Sequence, residues 1–157
     1  LQKISDLFVR LQLPTENVHF ICCDASMPLP AEQPQLYDAI LLDAPCSATG
    51  IIRRQPDVKW HRQPKDIDQL NTLQWRLLKN AWRHLKLGGQ LLYSTCSVLK
   101  AENSLLLDSF LKQNLDARAL PLDVKFGRVS GVGRQRFPGE DGGDGFFYAL
   151  LEKSSNE

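Results

Sequence analysis

A chain of 157 residues, 43% hydrophobic and 24% charged, fits one globular domain that buries roughly two-thirds of its unfolded-chain surface, which excludes a disordered or fibrous protein. Lys and Arg number 19 against 18 Asp and Glu, for a net charge of +1, so no global field announces a nucleic-acid or membrane partner and any polyanion site is a local patch. No apolar run approaches the ~20 residues of a membrane-spanning helix, and the protein reads as soluble.

The chain opens on Leu1-Gln-Lys-Ile-Ser-Asp-Leu-Phe-Val-Arg-Leu11, whose apolar spacing is that of an amphipathic helix already under way and not that of a signal peptide. With a first residue other than Met, this predicts a sequence that begins inside a longer chain. Residues 18–22 predict a short strand, in which Cys22 and Cys23 bury one small thiol on each face. Residues 36–43 end as a nearly continuous apolar run, the signature of a strand covered on both faces in a parallel sheet. Apolar residues from Ile67 to Leu85 recur at helical spacing, and Leu87-Gly88-Gly89 predicts the helix end. Leu91-Leu92-Tyr93 predicts a third buried strand, and residues 101–111 a second packed helix. Residues 120–145, rich in Gly, Pro and Arg, predict a long loop. Gly145-Phe-Phe-Tyr-Ala-Leu-Leu151 predicts a last strand, and residues 154–157 are a polar tail.

This alternation predicts an α/β fold with a mostly parallel sheet flanked by helices. In such sheets the ligand crevice lies at the carboxyl ends of the strands. Asp24, Asp43 with Pro45-Cys46, and Cys96 all follow predicted strands, so one crevice can collect two carboxylates and two thiols. The four cysteines, two adjacent and two isolated, do not form a secreted disulfide framework. Neither they nor His19, His61 and His84 show metal-ligand spacing, so no metal is expected.

Three segments carry the chemistry: Asp43-Ala-Pro-Cys-Ser-Ala-Thr-Gly50, Leu87-Gly-Gly-Gln-Leu-Leu-Tyr-Ser-Thr-Cys-Ser97 and Asp144-Gly-Phe-Phe147. Together they resemble the S-adenosylmethionine-dependent RNA cytosine-5 methyltransferases, and most closely the bacterial enzymes of the Sun/Fmu (RsmB) type that modify 16S rRNA. The resemblance implies a Rossmann-like methyltransferase fold, with residues 1–153 as the carboxyl-terminal part of the catalytic domain. It also implies a cytoplasmic enzyme with S-adenosylmethionine as cofactor, ribosomal RNA (16S) as partner, and no membrane. Carbon 5 of cytosine is too electron-poor to take a methyl group directly, so a nucleophile first adds to carbon 6. By the resemblance, Cys96 is that nucleophile and Cys46 assists its release. The DNA cytosine-5 enzymes use the Pro-Cys thiol to attack, which leaves a swapped assignment as the rival, and an inert buried thiol is the alternative for each cysteine.

Asp43 resembles the motif aspartate between methyl donor and base, and with Pro45 is expected beside the cofactor. Asp24 resembles the acidic residue that accepts from the adenine amino group; a plain turn aspartate is the competing reading for both. Arg53, Arg54, Lys59, Trp60 and Arg62 mix cations with an aromatic, the composition that holds single-stranded or flipped-out RNA. A solvated loop with Trp60 in the core is the alternative there. Arg128, Arg134 and Arg136 form a weaker patch. Glu102 and Asn103 stand in a family-like position that helix N-terminal stabilisation also explains.

The Gly-rich cofactor loop after the family's first strand, and the acidic residue after its second, are absent from this chain. Two amino-terminal strands are therefore expected to be missing between the strand ending near Cys22 and the one ending at Asp43. The chain alone is expected to bind the cofactor poorly and to be inactive. A non-catalytic RNA-binding module derived from such an enzyme is the competing class, and a dithiol redox protein a more distant one.

Overall fold

The apolar run that ends at Asp43 forms β1 (Tyr37–Asp43), and the run through Leu91 and Tyr93 forms β2 (Leu85–Thr95). They pair in parallel, with Ile40 opposite Leu91 and Asp43 opposite Ser94. A parallel pair needs a crossover, which is supplied by α2 (Val58–His61) and α3 (Pro64–Arg83). Pro64 at the first helical position and the Gln63 N–H donated to the Asp66 carboxylate at 2.9 Å start α3 cleanly. These are features of a computed structural model, which describes residues 2–33 and 35–155. Leu1 and the last two residues of the expected polar tail lie outside the described residues.

The helix stops two residues earlier than its periodicity suggests. Leu85 already opens β2, and Gly88, at φ +75°, sits inside that strand, where the pairing with β1 jumps from Tyr37–Leu85 to Ala39–Gln90. The glycines therefore carry an irregularity in the ladder rather than a helix end.

β6 (Phe146–Lys153) pairs antiparallel with the other side of β2, so that Thr95 lies opposite Phe147 and Tyr93 opposite Ala149. Along its free side β6 takes two partners in succession. β3 (Ala117–Leu120) pairs with its carboxyl-terminal half, and β5 (Gly133–Arg136) with its amino-terminal half. β4 (Arg128–Ser130) pairs with β5 as a short hairpin. The main path runs β1-β2-β6-β5-β4. Among the described strands only β1 and β2 are parallel, so the sheet is mixed and the expectation of a mostly parallel one is corrected. The loop expected over 120–145 is likewise replaced in part by β4 and β5. Its glycines and arginines hid two strands of three and four residues, too short for a periodic signal.

Residues 18–22 form no strand and pair with no described strand. Cys22 and Cys23 are exposed there, not buried on two faces. The first helix is α1 (Gln2–Arg10), which buries none of its residues.

One face of the sheet carries the core. Leu91, Tyr93, Phe147, Ala149 and Leu151 alternate inward and pack on Leu78 and Trp82 of α3 and on Leu107 and Phe110 of α4 (Ser104–Gln113). Trp75 and Trp82 both meet the Phe110 ring edge-on, at 5.9 and 5.4 Å between centroids. Each such contact adds roughly 0.5–1.5 kcal/mol to the area buried. Lys100–Glu102 form a single 3-10 turn before α4, so this helix begins three residues later than expected. No helix among the described residues is long and apolar enough to cross a membrane.

Candidate active site

The parallel register of β1 and β2 decides what meets at their carboxyl ends. With Asp43 opposite Ser94, the chain leaving each strand emerges beside the other. The Ala44 amide donates to the Ser94 carbonyl at 2.9 Å, and the Gly50 amide to the Cys96 carbonyl at 2.8 Å. Cys46 and Cys96, 50 residues apart in sequence, thereby bring their Sγ atoms to 3.4 Å. Both thiols are half-buried, and Asp43 is exposed at the strand end, where it accepts from Ser94 Oγ at 3.2 Å.

The two thiols are electrostatically unequal. A hydrogen bond from Cys46 holds the Cys96 thiol down at about 7, against the opposing effects of burial, Asp43 and Glu102. The same bond and burial push the Cys46 thiol far up. Cys96 is therefore the group that ionises near neutrality and Cys46 the one that keeps its proton.

Behind the thiols lies a polar network that the sequence did not disclose. Glu102 is fully buried. Its Oε1 accepts from the Ser47 amide at 2.8 Å and from Gln74 Nε2 at 3.1 Å. Its Oε2 accepts from Ser47 Oγ at 2.6 Å and from Ser97 Oγ. Asn103, also buried, accepts from Thr95 Oγ1 at 2.6 Å and donates to the Ser97 carbonyl at 2.9 Å and to Gln135 Oε1 at 3.1 Å. Neither side chain caps α4, and the helix N-terminal reading is corrected. The available signal was that each cysteine is followed by serine, with Glu102 and Asn103 a short distance beyond the second pair.

Asp24 is not drawn into this cluster. It is exposed on a turn in which the Ser26 amide donates to its carboxylate at 2.9 Å, a bond that holds the carboxyl below its usual range. That turn is fastened to α3: Asn80 Nδ2 donates to the Ala25 and Met27 carbonyls, and Arg76 to Ser26 Oγ. Pro45 is exposed, and its carbonyl accepts from Gln74 Nε2 at 2.9 Å.

The basic segment is ordered by backbone ties. Arg53 Nη1 donates to the Gly142 and Gly143 carbonyls, and Arg54 pairs with Asp144. Arg62 Nε donates to the Ser47 carbonyl at 3.0 Å. Trp60 is 76% exposed, with Lys59 Nζ 4.9 Å from its ring centroid, so it is not a core residue. In the second patch Arg128 and Arg136 pair with Glu140 and Asp141, and Arg134 donates to the Leu122 and Gly127 carbonyls.

A βα crossover between adjacent parallel strands, delivering two cysteine turns to one end of the sheet, defines the class of fold as Rossmann-like. The chain belongs to the family described as 16S rRNA methyltransferase RsmB/F, whose model matches residues 1–152. The ribosomal RNA small subunit methyltransferase B of Xanthomonas campestris pv. campestris is 61% identical over 121 residues, covering 77% of this chain and 28% of that protein. The methyltransferase of the same name from Pasteurella multocida is 47% identical over 159 residues, covering 98% of this chain and 34% of that protein. The crystal structure of NSun6 from Pyrococcus horikoshii with SFG superposes with a TM-score of 0.84 at 26% identity, covering 99% of this chain and 39% of that one. The chain thus spans about a third of the length of the curated relatives it matches.

Proposed function

We propose that this chain forms the base-side half of an enzyme that transfers a methyl group from S-adenosylmethionine to carbon 5 of a cytosine in 16S rRNA. Family membership supports a methyltransferase acting on ribosomal RNA, and the NSun6 neighbour was solved with SFG, an analogue of the cofactor. The observation that carries the reading is the 3.4 Å approach of two inequivalent thiols beside Asp43.

In this reading the Cys96 thiolate adds to carbon 6 of a cytosine turned out of its stack, forming a C–S bond. Electron density then moves to carbon 5, and Asp43 accepts a hydrogen bond from the amino edge of the ring. When bound, the cofactor supplies an electrophilic methyl group. The hydrogen on carbon 5 then leaves as a proton to solvent water, its bonding pair re-forms the 5,6 double bond, and the C–S bond breaks with its pair on sulfur, restoring the Cys96 thiolate. Cys46, which keeps its proton beside Cys96, assists that release. The donor set suits the cofactor in one respect: Asp24 is exposed, and hydrogen bonding to Ser26 favours its ionised form, an acceptor for the adenine amino group. Asp43 and Pro45 are assigned to the same ligand. Trp60 with Lys59 over its ring, and Arg53, Arg54 and Arg62 in the same segment, offer a stacking platform and cations to RNA.

The test is covalent trapping on RNA carrying 5-fluorocytidine, whose fluorine cannot leave as a proton does. A protein of the relatives' length that contains this chain is expected to form an adduct resistant to denaturation, lost in Cys96→Ala. An adduct kept in Cys96→Ala but lost in Cys46→Ala reverses the assignment. RNA binding with no adduct at all supports the non-catalytic binding module instead.

A further inference from the structure

Both cysteines are followed by serine, and both serines turn inward onto one carboxylate. Ser47 gives Glu102 its amide and hydroxyl hydrogens, and Ser97 gives its hydroxyl hydrogen. The remaining donor is Gln74 Nε2 from α3, which also holds the Pro45 carbonyl on the residue before Cys46. A carboxylate accepts at about four lone-pair sites, and all four are used by neutral donors, none of them a cation. The acid itself is immobilised, because Tyr93 Oη on β2 donates to the Glu102 carbonyl at 2.8 Å.

We propose that Glu102 is a positioning residue that clamps the Cys46 and Cys96 turns together and so sets the separation of the two thiols. This rests on the catalytic reading given above, but the geometry can be probed without catalysis. Three observations favour a clamp over a buried acid that merely fills space. Three of its four donors come from the residue after each cysteine, and the fourth, Gln74, also holds the residue before Cys46. It is fully buried without a compensating cation among the described residues, an arrangement that costs stability unless every lone pair is satisfied. Its negative charge opposes ionisation of both thiols, so this acid is ill placed to activate Cys96 directly and well placed to hold it. A misplacement of about 1 Å at a reacting group costs on the order of 10²-fold in rate, which is the scale on which such a clamp matters.

The experiment bridges the two thiols with dibromobimane, which joins sulfurs only a few ångströms apart, in the protein of the relatives' length with C22S and C23S introduced. Bridged Cys46–Cys96 peptide is quantified by mass spectrometry, and native fold is followed by thermal unfolding. Glu102→Ala is expected to lower the yield by about tenfold, in line with the sensitivity of reactions between held groups to small displacements. Glu102→Gln is expected to restore most of it: the amide oxygen can still accept from the Ser47 amide and Gln74, while its NH₂ donates to serine hydroxyls that rotate to accept. Unchanged bridging in folded Glu102→Ala overturns the clamp, as does loss of bridging in Glu102→Gln. Where Glu102→Ala does not fold, the double substitution Ser47→Ala/Ser97→Ala cuts the ties from the other side and is held to the same tenfold criterion. Failure of the catalytic reading has a separate signature, since it removes the 5-fluorocytidine adduct from the unsubstituted protein and leaves the bridging result untouched.

Discussion

An unperturbed cysteine is mostly protonated at neutral pH, and a thiol that must attack carbon 6 of a base needs help to ionise. At Cys96 that help is the Cys46 S–H, 3.4 Å away, which stabilises the thiolate and lowers Cys96 to about 7 while Cys46 itself is driven up. The sign of the pH dependence follows. The reactive form is the deprotonated one, so alkylation of Cys96 by iodoacetamide is expected to rise as pH passes upward through about 7 and then level off. In Cys46→Ala the donor is gone, and the same rise is expected at higher pH, with a slower rate at neutrality. Mass-spectrometric rates for the Cys96 peptide between pH 5.5 and about 9.5, a range that brackets both the lowered and the ordinary thiol pKa, check this. A profile in Cys46→Ala that is unmoved, or moved downward, removes the thiol–thiol hydrogen bond as the cause. The meeting of Cys46 and Cys96 was legible from their motifs, because residues that follow neighbouring strands converge on one crevice in this fold class. Glu102 was noticed for its family-like position, but its partners at positions 47, 74 and 97 were not legible, because they come together only once β1, α3 and β2 are assembled.

The elements that place those residues depend on one close crossing of backbone. Gly50 follows the Cys46 turn in the 3-10 turn Thr49–Ile51. Its amide donates to the Cys96 carbonyl, and its carbonyl accepts from the Gly145 amide, both at 2.8 Å. Three segments, the Cys46 turn, the Cys96 turn and the start of β6, thus touch at an α-carbon that carries no side chain. A Cβ there would stand 2.8 Å from the Cys96 carbonyl oxygen and closer still to that of Gly145. Main-chain atoms of two other segments cannot step aside as a flexible side-chain tip would. Gly50→Ala is therefore expected to destabilise by roughly 1–3 kcal/mol, the usual cost of overpacking a close contact, read as a lower midpoint in urea unfolding. An unaltered midpoint means that the crossing is slack. Sequence pattern identified β1, α3, β2, α4 and β6, whose apolar residues recur over many positions. It missed β3, β4 and β5, held by pairing with a neighbour rather than by their own composition. It also assigned residues 18–22 to a strand that has no partner among the described residues, since β propensity is realised only when another strand supplies the hydrogen bonds.

At the scale of the molecule, β1 pairs on one side only among the described residues, with β2. Leu41 on it is 68% exposed. A mainly apolar cavity of about 320 Å³ opens between β1 and α3, lined by Leu29, Tyr37, Ile40, Leu42, Leu77 and Ala81 among others. A strand edge with unpaired amides and carbonyls beside an apolar groove is poorly suited to water. The cofactor contacts assigned to this chain are also lopsided. Asp24, Asp43 and Pro45, the residues proposed to face the cofactor, offer carboxylates and a ring edge, while the sequence holds no Gly-rich turn leading from a strand into a helix, whose backbone amides could receive the cofactor's own carboxylate. Two exposed carboxylates are a weak basis for affinity, since each gains a hydrogen bond only by giving up water. This chain alone is therefore expected to show no saturable heat with S-adenosylmethionine up to about 1 mM, a limit equivalent to roughly 4 kcal/mol of binding free energy. The protein of the relatives' length, titrated beside it, is expected to bind. Micromolar affinity in the 157-residue chain would mean that these three residues and the groove next to β1 already make a sufficient site, and that the division of labour between cofactor-side and base-side halves proposed for this family member is wrong.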